Sequence, residues 1–153
     1  MRLAEYIHPE LVMVDVEAAD AEDLFSQASE RLCAHEPCLE KEVLIQNLLQ
    51  REAKTGTGLE GGVAVPHAMV PGVEKTICQI IRLSKPMDFG ALDKKPVKVL
   101  FILVSAPEAV AVHIRILARI ARFCSTPGFI DRLLEAEADS LYEIVRAEDS
   151  RHI

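Results

Sequence analysis

Residues 97–125 read VKVLFILVSAPEAVAVHIRILARIARFCS. After Lys98 every side chain through Val104 is apolar, the pattern of a strand covered on both faces. From about Pro107 to Ser125 the period changes to that of a helix, with Glu108 in the first turn. His113, Leu117, Ile120 and Cys124 share one face of it, and Val110, Ile114 and Ala121 join the same apolar pattern. A doubly covered strand followed by an amphipathic helix predicts an α/β layered domain.

Working outward, residues 76–83 (TICQIIRL) are β-branched and apolar enough for another strand. The connection SKPMDFGALDKKP, residues 84–96, is too short for a crossover helix, so the two strands are expected to be antiparallel neighbours. Residues 11–16 (LVMVDV) predict a short edge strand. Asp20 then opens a helix carrying Leu24, Ala28 and Leu32 on one face. A second helix is predicted from about Glu40 to Ala53, with Ile45, Leu48, Leu49 and Glu52 in helical register. Arg51 sits in its last turn, where a cation suits the negative end of the helix dipole. Downstream, Thr126-Pro127-Gly128 breaks the chain, and FIDRLLEAE and SLYEIVRAE predict two shorter helices. No repeat or linker divides the sequence. The expectation is a single α/β domain over residues 1–153, with its core at about 5–148 and a small mixed sheet flanked by helices on both sides.

The composition, 153 residues at 50% hydrophobic and 27% charged, is that of one globular domain. No apolar run reaches the ~18 residues of a membrane span, and MRLAEYIHPELVMVDV lacks the features of a signal peptide. A cytoplasmic protein without membrane insertion is expected. Twenty-four acidic against 17 basic residues give a net charge of −7, which argues against nucleic-acid binding and for solubility. Cys33, Cys38, Cys78 and Cys124 form no C-x-x-C pair and read as reduced structural thiols. Cys33 and Cys38 beside His35 lack the second ligand pair of a zinc site.

The chemistry-bearing segment is GGVAVPHA, residues 61–68, where a glycine-rich loop over 54–62 passes into a short strand ending at His67. Pro66 fixes its own φ and removes a donor, holding His67 at the sheet margin, where an imidazole can act as nucleophile, ligand or base. Gly56-Thr57-Gly58-Leu59-Glu60-Gly61 matches G-x-G-x-x-G formally. A helix precedes it and a strand follows, the reverse of the dinucleotide context, and no Lys-Ser/Thr completes a Walker loop. Two readings of the glycines stand: an anion cradle with Thr57 as an added donor, or a solvated turn.

His113, at the start of a helix that follows the 97–104 strand, is either a satisfied core residue or a second imidazole at the edge where α/β sheets place their sites. Two histidines plus Arg51 suit an anion better than a metal. Arg115, Arg119 and Arg122 read as a solvated face paired with acids. His8 and His35 join no constellation, and His152 is expected in a frayed tail. Ser105 lacks a nucleophile-elbow context, so a hydrolase is not expected.

Taken together, Arg51-Glu52, Thr57-Gly58, Gly62-Val63-Ala64-Val65-Pro66-His67, Pro86-Met87-Asp88-Phe89, Ala106-Pro107-Glu108, His113-Ile114 and Leu117-Ala118-Arg119-Ile120 resemble the IIA proteins of the sugar phosphotransferase system. The likeness is to the fructose/mannitol class that includes the nitrogen-regulatory IIA, and it covers nearly the whole chain. It implies that His67 takes a phosphoryl group from HPr or a paralogous carrier, and that His113 hydrogen-bonds that group. It also implies that Arg51, Thr57 and Gly58 line the phosphate pocket, with no metal or cofactor. The implied recipients are a IIB component or, in a regulatory protein, a target whose binding the phosphoryl group switches. The sequence contains no IIB or IIC portion, which favours regulation. Ala68 stands where the family usually has Gly, and Gly56 where a hydroxyl residue is frequent.

Overall fold

Strand β6 (Val97–Ser105) is the spine of the molecule, because both of its faces and both of its edges are occupied. The structure is a computed structural model that describes residues 1–91 and 93–152. Leu92 in the 84–96 connection and Ile153 therefore lie outside the described residues. On one edge β6 pairs antiparallel with β5 (Ile77–Met87), which in turn pairs parallel with β1 (Met13–Val16) at the sheet margin. On the other edge it pairs parallel with β3 (Val63–Ala64) and β4 (His67–Met69), and β2 (Gly58–Leu59) closes a hairpin with β3. The result is a six-stranded mixed open sheet.

Alternation along β6 sorts the core into two layers. Leu100, Ile102 and Val104 pack with Leu24, Phe25, Ala28, Leu32, Leu44 and Leu48 of α1 (Ala21–His35) and α2 (Lys41–Lys54). Val99, Phe101 and Leu103 pack on the opposite face, against α3 (Val110–Ser125), α4 (Phe129–Glu135) and α5 (Leu141–Asp149). That second layer is anchored by Ile116, Ile120, Phe123, Phe129, Leu133 and Val145, all fully buried. Burying both sets removes most of the apolar area from water, at roughly 25 cal/mol per Å². The Asp20 carboxylate caps α1 by accepting the Asp23 N–H at 2.8 Å, as its position before the apolar period implied.

Several elements differ from the sequence expectation, each for a local reason. The 54–62 loop contains β2, because Gly61 and Gly62 adopt φ of +91° and +85° and reverse the chain tightly enough to pair Gly58 with Ala64. His67 opens β4 instead of closing a strand. Pro66 offers no N–H, so the ladder breaks between Ala64 and His67 while the Pro66 carbonyl still accepts Leu103 N–H at 3.0 Å. Helix α3 starts at Val110, since 106–109 form a tight turn closed by Ala109 N–H to Ala106 O, and Glu108 lies in that turn. The buried stripe of α3 is His113, Ile116, Ile120 and Phe123, which leaves Val110 and Ile114 exposed.

His152 is docked and not frayed. The His152 ring lies 4.9 Å from that of Phe123, and its Nε2 is 2.6 Å from Glu148 Oε2. Arg119 is no solvated side chain: it binds the fully buried carboxylate of Asp149, which also accepts the N–H groups of Leu3 and Ala4. The two ends of the chain are thus joined through one buried charge pair. The four cysteines are free, and burial pushes the thiol of Cys124 up to about 12 and that of Cys78 higher still.

Candidate active site

Because β4 runs parallel to β6 and α3 follows β6, the sheet brings residues 46 positions apart in sequence to one edge. His67 pairs with Leu103 in the ladder, and His113 closes the first turn of α3. Their ring centroids are 5.4 Å apart at an interplanar angle of 60°. Helix α2 brings Arg51 to the same place. A cleft of about 450 Å³ opens above the pair, walled by α2 and α3, with Asn47, Arg51, Lys54 and Ile114 on its sides. A larger hollow of about 720 Å³ lies by Gly61, Asp93 and Cys124. It holds neither histidine, Asp93 there is already committed to the Gly61 N–H, and the Cys124 thiol stays protonated.

The hydrogen bonds fix the tautomer of His67. Nδ1 is 2.8 Å from the Val65 carbonyl, which can only accept, so Nδ1 carries the proton. Nε2 receives the Nε–H of Arg51 at 3.0 Å; a guanidinium can only donate, so Nε2 holds a lone pair. Arg51 is itself positioned by a second bond, from Nη1 to the Thr55 carbonyl at 2.7 Å. Burial lowers the His67 pKa, the Val65 carbonyl acts against that, and the Arg51 cation lowers it further. The ring is therefore neutral at physiological pH, with its Nε2 lone pair held by Arg51.

His113 is 4% exposed, and its pKa is lowered to about 4, by burial first and by His67 second. Its Nδ1 is 2.7 Å from Ser105 Oγ, which is 2.9 Å from Thr76 Oγ1. Its Nε2 is buried with no partner among the described residues. Hydroxyls can donate as well as accept, so a relay running from Thr76 through Ser105 to Nδ1 would place the ring proton on Nε2, and the reverse relay would leave Nε2 a lone pair. A buried ring nitrogen without a partner is uncommon in a folded core and marks a place where a polar group could be received.

Thr57 and Gly58 border the hollow beneath His67 together with Gly56, Val65 and Leu117. The Thr57 hydroxyl is engaged by the Glu52 carboxylate, which also accepts the Thr57 N–H at 3.2 Å, while the Thr57 carbonyl accepts Val65 N–H at 3.0 Å. Burial raises the Glu52 pKa, against the opposing effect of the two Thr57 bonds and Arg51. Glu52 thus links the end of α2 to the strand that presents His67. Sequence reading gave it no role of its own, although it adjoins Arg51. Ser105 was also missed, and its signal was visible: one polar residue closing an otherwise apolar strand, eight positions before His113. At Gly56 an added Cβ would stand 2.4 Å from the Phe89 carbonyl oxygen, so no side chain fits here. The Ala68 methyl is buried in the core beside α2.

A neutral imidazole whose lone pair faces a guanidinium, with a second buried imidazole beside it and no carboxylate on either ring among the described residues, suits an anion better than a metal ion. Over residues 5–148 the chain matches the family described as phosphoenolpyruvate-dependent sugar phosphotransferase system, EIIA 2, and it belongs to that family. Its members transfer phosphoryl groups within that system. The chain is 31% identical over 146 residues to the nitrogen regulatory protein of Pseudomonas aeruginosa, with 95% of each covered. It is 31% identical over 109 residues to the fructose-specific EIIA component of Haloferax volcanii, covering 71% of each. The crystal structure of nitrogen regulatory protein IIA-Ntr from Neisseria meningitidis superposes with a TM-score of 0.86 at 28% identity, covering 94% of this chain and 98% of that one. Among the described residues no helix is long and apolar enough to cross a membrane.

Proposed function

We propose that this chain is a cytoplasmic histidine phosphocarrier, acting as one unit over residues 1–153, that accepts a phosphoryl group on Nε2 of His67. The observation that carries the reading is the pair of opposed bonds on His67: a carbonyl holding Nδ1–H and a cation at the Nε2 lone pair. In transfer the Nε2 lone pair attacks phosphorus in line. The N–P bond of the donor phosphohistidine breaks, and its electron pair returns to the donor ring, so Nε2 neither gains nor loses a proton. Negative charge spreads over the three equatorial oxygens, and catalysis is chiefly the placing of donors around them.

Arg51 leaves Nε2 and pairs with the phosphoryl oxygens. His113 Nε2–H donates to the same group, its tautomer held by Ser105 and Thr76. Thr57 and Gly58 shape the floor, with Thr57 contributing through backbone and Glu52 more than through a free hydroxyl. The Val65 carbonyl stabilises the Nδ1–H as the ring becomes more electron-poor. The donor is an HPr-like carrier and the recipient a IIB component. The chain binds no nucleic acid, inserts in no membrane and needs no cofactor or metal for transfer. Incubation with phosphoenolpyruvate, the general phosphotransferase enzyme and HPr, followed by intact mass measurement, is expected to show one added phosphoryl group. An equal gain by His67→Ala would show that another residue is the acceptor.

A second reading shares this chemistry but not its output: the phosphoryl group switches binding to a regulatory target. The relative named a nitrogen regulatory protein favours it. So do the exposed Val110 and Ile114 of α3, which line the cleft beside His67, where a docked protein would meet the new charge directly. Pull-downs with the phosphorylated and unphosphorylated chain separate the readings. A partner held by one form alone favours regulation; productive transfer to a IIB cysteine favours transport.

A further inference from the structure

Three residues with no assigned role meet away from His67. His8 precedes, and Glu10 lies within, a short 3₁₀ turn (Pro9–Leu11), while His35 is the last residue of α1. The two imidazole centroids are 4.4 Å apart. Both Nδ1 atoms approach the same carboxylate oxygen, Glu10 Oε1, at 3.4 Å from His35 and 3.9 Å from His8. One ligand-capable atom from each residue falls within 4.8 Å of the others.

From these residues we infer a divalent-metal site, with Zn²⁺ as its best-fitting occupant. Tetrahedral zinc with bonds near 2.1 Å sets its ligand atoms about 3.4 Å apart, so small side-chain rotations convert the observed cluster into three ligands. Two nitrogens and one carboxylate suit a borderline ion such as zinc; magnesium and calcium prefer oxygen sets. The backbone under the ligands is already fixed. Leu11 N–H bonds to the His8 carbonyl at 2.9 Å, and Arg31 of α1 ties the Glu10 carbonyl at 2.8 Å. The end of α1 adds the negative pole of its dipole, which favours a cation beside His35. Glu10 is 60% exposed, so the ion has an entry path and a fourth position open to water.

This place is separate from the histidine pair. Ile7 bridges to Cys78, Cys78 pairs with Leu103, and Leu103 with His67. Three strand spacings, about 14 Å, therefore lie between Ile7 and His67. Nothing in the sequence suggested the grouping, because 25 residues separate Glu10 from His35 and the ligands sit on unlike elements.

Calorimetric titration of the full chain with Zn²⁺ alone tests the inference. One site per chain in the micromolar range is expected, and it persists when His67→Ala and His113→Ala remove the other imidazole pair. Losing a direct ligand should weaken binding by at least the roughly tenfold typical of outer-shell losses, so His8→Ala and His35→Ala are each expected to do so. Glu10→Gln repeats the test with a change at an exposed carboxylate that the fold does not need. Crystals grown with zinc are expected to show an anomalous peak among the three side chains. The inference is overturned if no saturable site appears, or if affinity is unchanged in all three variants. It is equally overturned if binding is lost with the His67→Ala, His113→Ala pair or with Cys33→Ser and Cys38→Ser.

Discussion

Replacing His113 separates a packing role from a chemical one. The ring is buried, 2.7 Å from Ser105 through Nδ1, and its Nε2 has no partner among the described residues. A hydrogen bond to a charged group contributes about 1.5–3 kcal/mol. If His113 Nε2–H meets the phosphoryl group in the transition state, its loss slows transfer roughly 10- to 150-fold. His113→Ala also leaves a cavity and removes one of the two hydrogen bonds of Ser105 Oγ, so its stability should fall by about 2–4 kcal/mol. The informative variants are the amides. Gln places its amide nitrogen near the position of Nε2, while Asn places its own near Nδ1, so both approximate the packing but only Gln restores the donor. Rapid-quench single turnover from phosphorylated HPr, with denaturant melts in parallel, reads both effects. Recovery of rate by Gln and not by Asn is expected. Equal rates for Gln, Asn and wild type would refute the donor role and leave His113 a core residue.

Three further outcomes follow from named groups. A histidine of lowered pKa binds its proton less readily folded than unfolded, so its neutral-state stability is complete above pH ~6.5 and is lost as pH falls through the folded value. For His113, with a folded value of about 4, this loss amounts to about 3 kcal/mol between those limits; urea melts should show it, and His113→Gln should reduce it. His67 is also lowered, so the loss of transfer rate on acidification should set in below the ordinary imidazole value, and a rate that halves at or above pH ~6.5 would contradict the assigned environment. Arg51→Gln removes both the cation at Nε2 and a counter-charge for the phosphoryl group; roughly tenfold or greater slowing is expected, together with an upward shift of the His67 pKa followed by ring-nitrogen NMR. Asp149→Ala strands Arg119 and frees the N–H groups of Leu3 and Ala4, and should cost about 3–5 kcal/mol in chemical denaturation without changing the chemistry at His67.

The main layers of the fold were legible because they rest on local periodicity. The doubly apolar 97–104 run became the central strand, Asp20 capped α1 as its position implied, and the short 84–96 connection did join antiparallel neighbours. The family resemblance was equally readable, since its motifs lie in continuous stretches. What escaped depends on contacts between distant segments or on the exact phase of a helix. The β2–β3 hairpin required the positive φ of Gly61 and Gly62. The stripe of α3 turned by about one residue, exposing Val110 and Ile114, because α3 packs through His113, Ile116, Ile120 and Phe123. Arg119 and His152 carry no local signal of burial, because the buried carboxylates of Asp149 and Glu148 that hold them are set by the fold. At the site, His67, His113 and Arg51 are brought together as the sequence suggested. The Thr57–Glu52 link and the Ser105–Thr76 contact depend on how the segments pack and leave no mark in the local sequence.

The most direct measurement is ³¹P and ¹⁵N NMR of the freshly phosphorylated chain, which distinguishes the two ring nitrogens of His67. With Nδ1–H held by the Val65 carbonyl, phosphorus is expected on Nε2 and the Nδ1 proton retained. Phosphorus on Nδ1, or on any residue other than His67, would contradict the geometry from which the transfer mechanism is drawn.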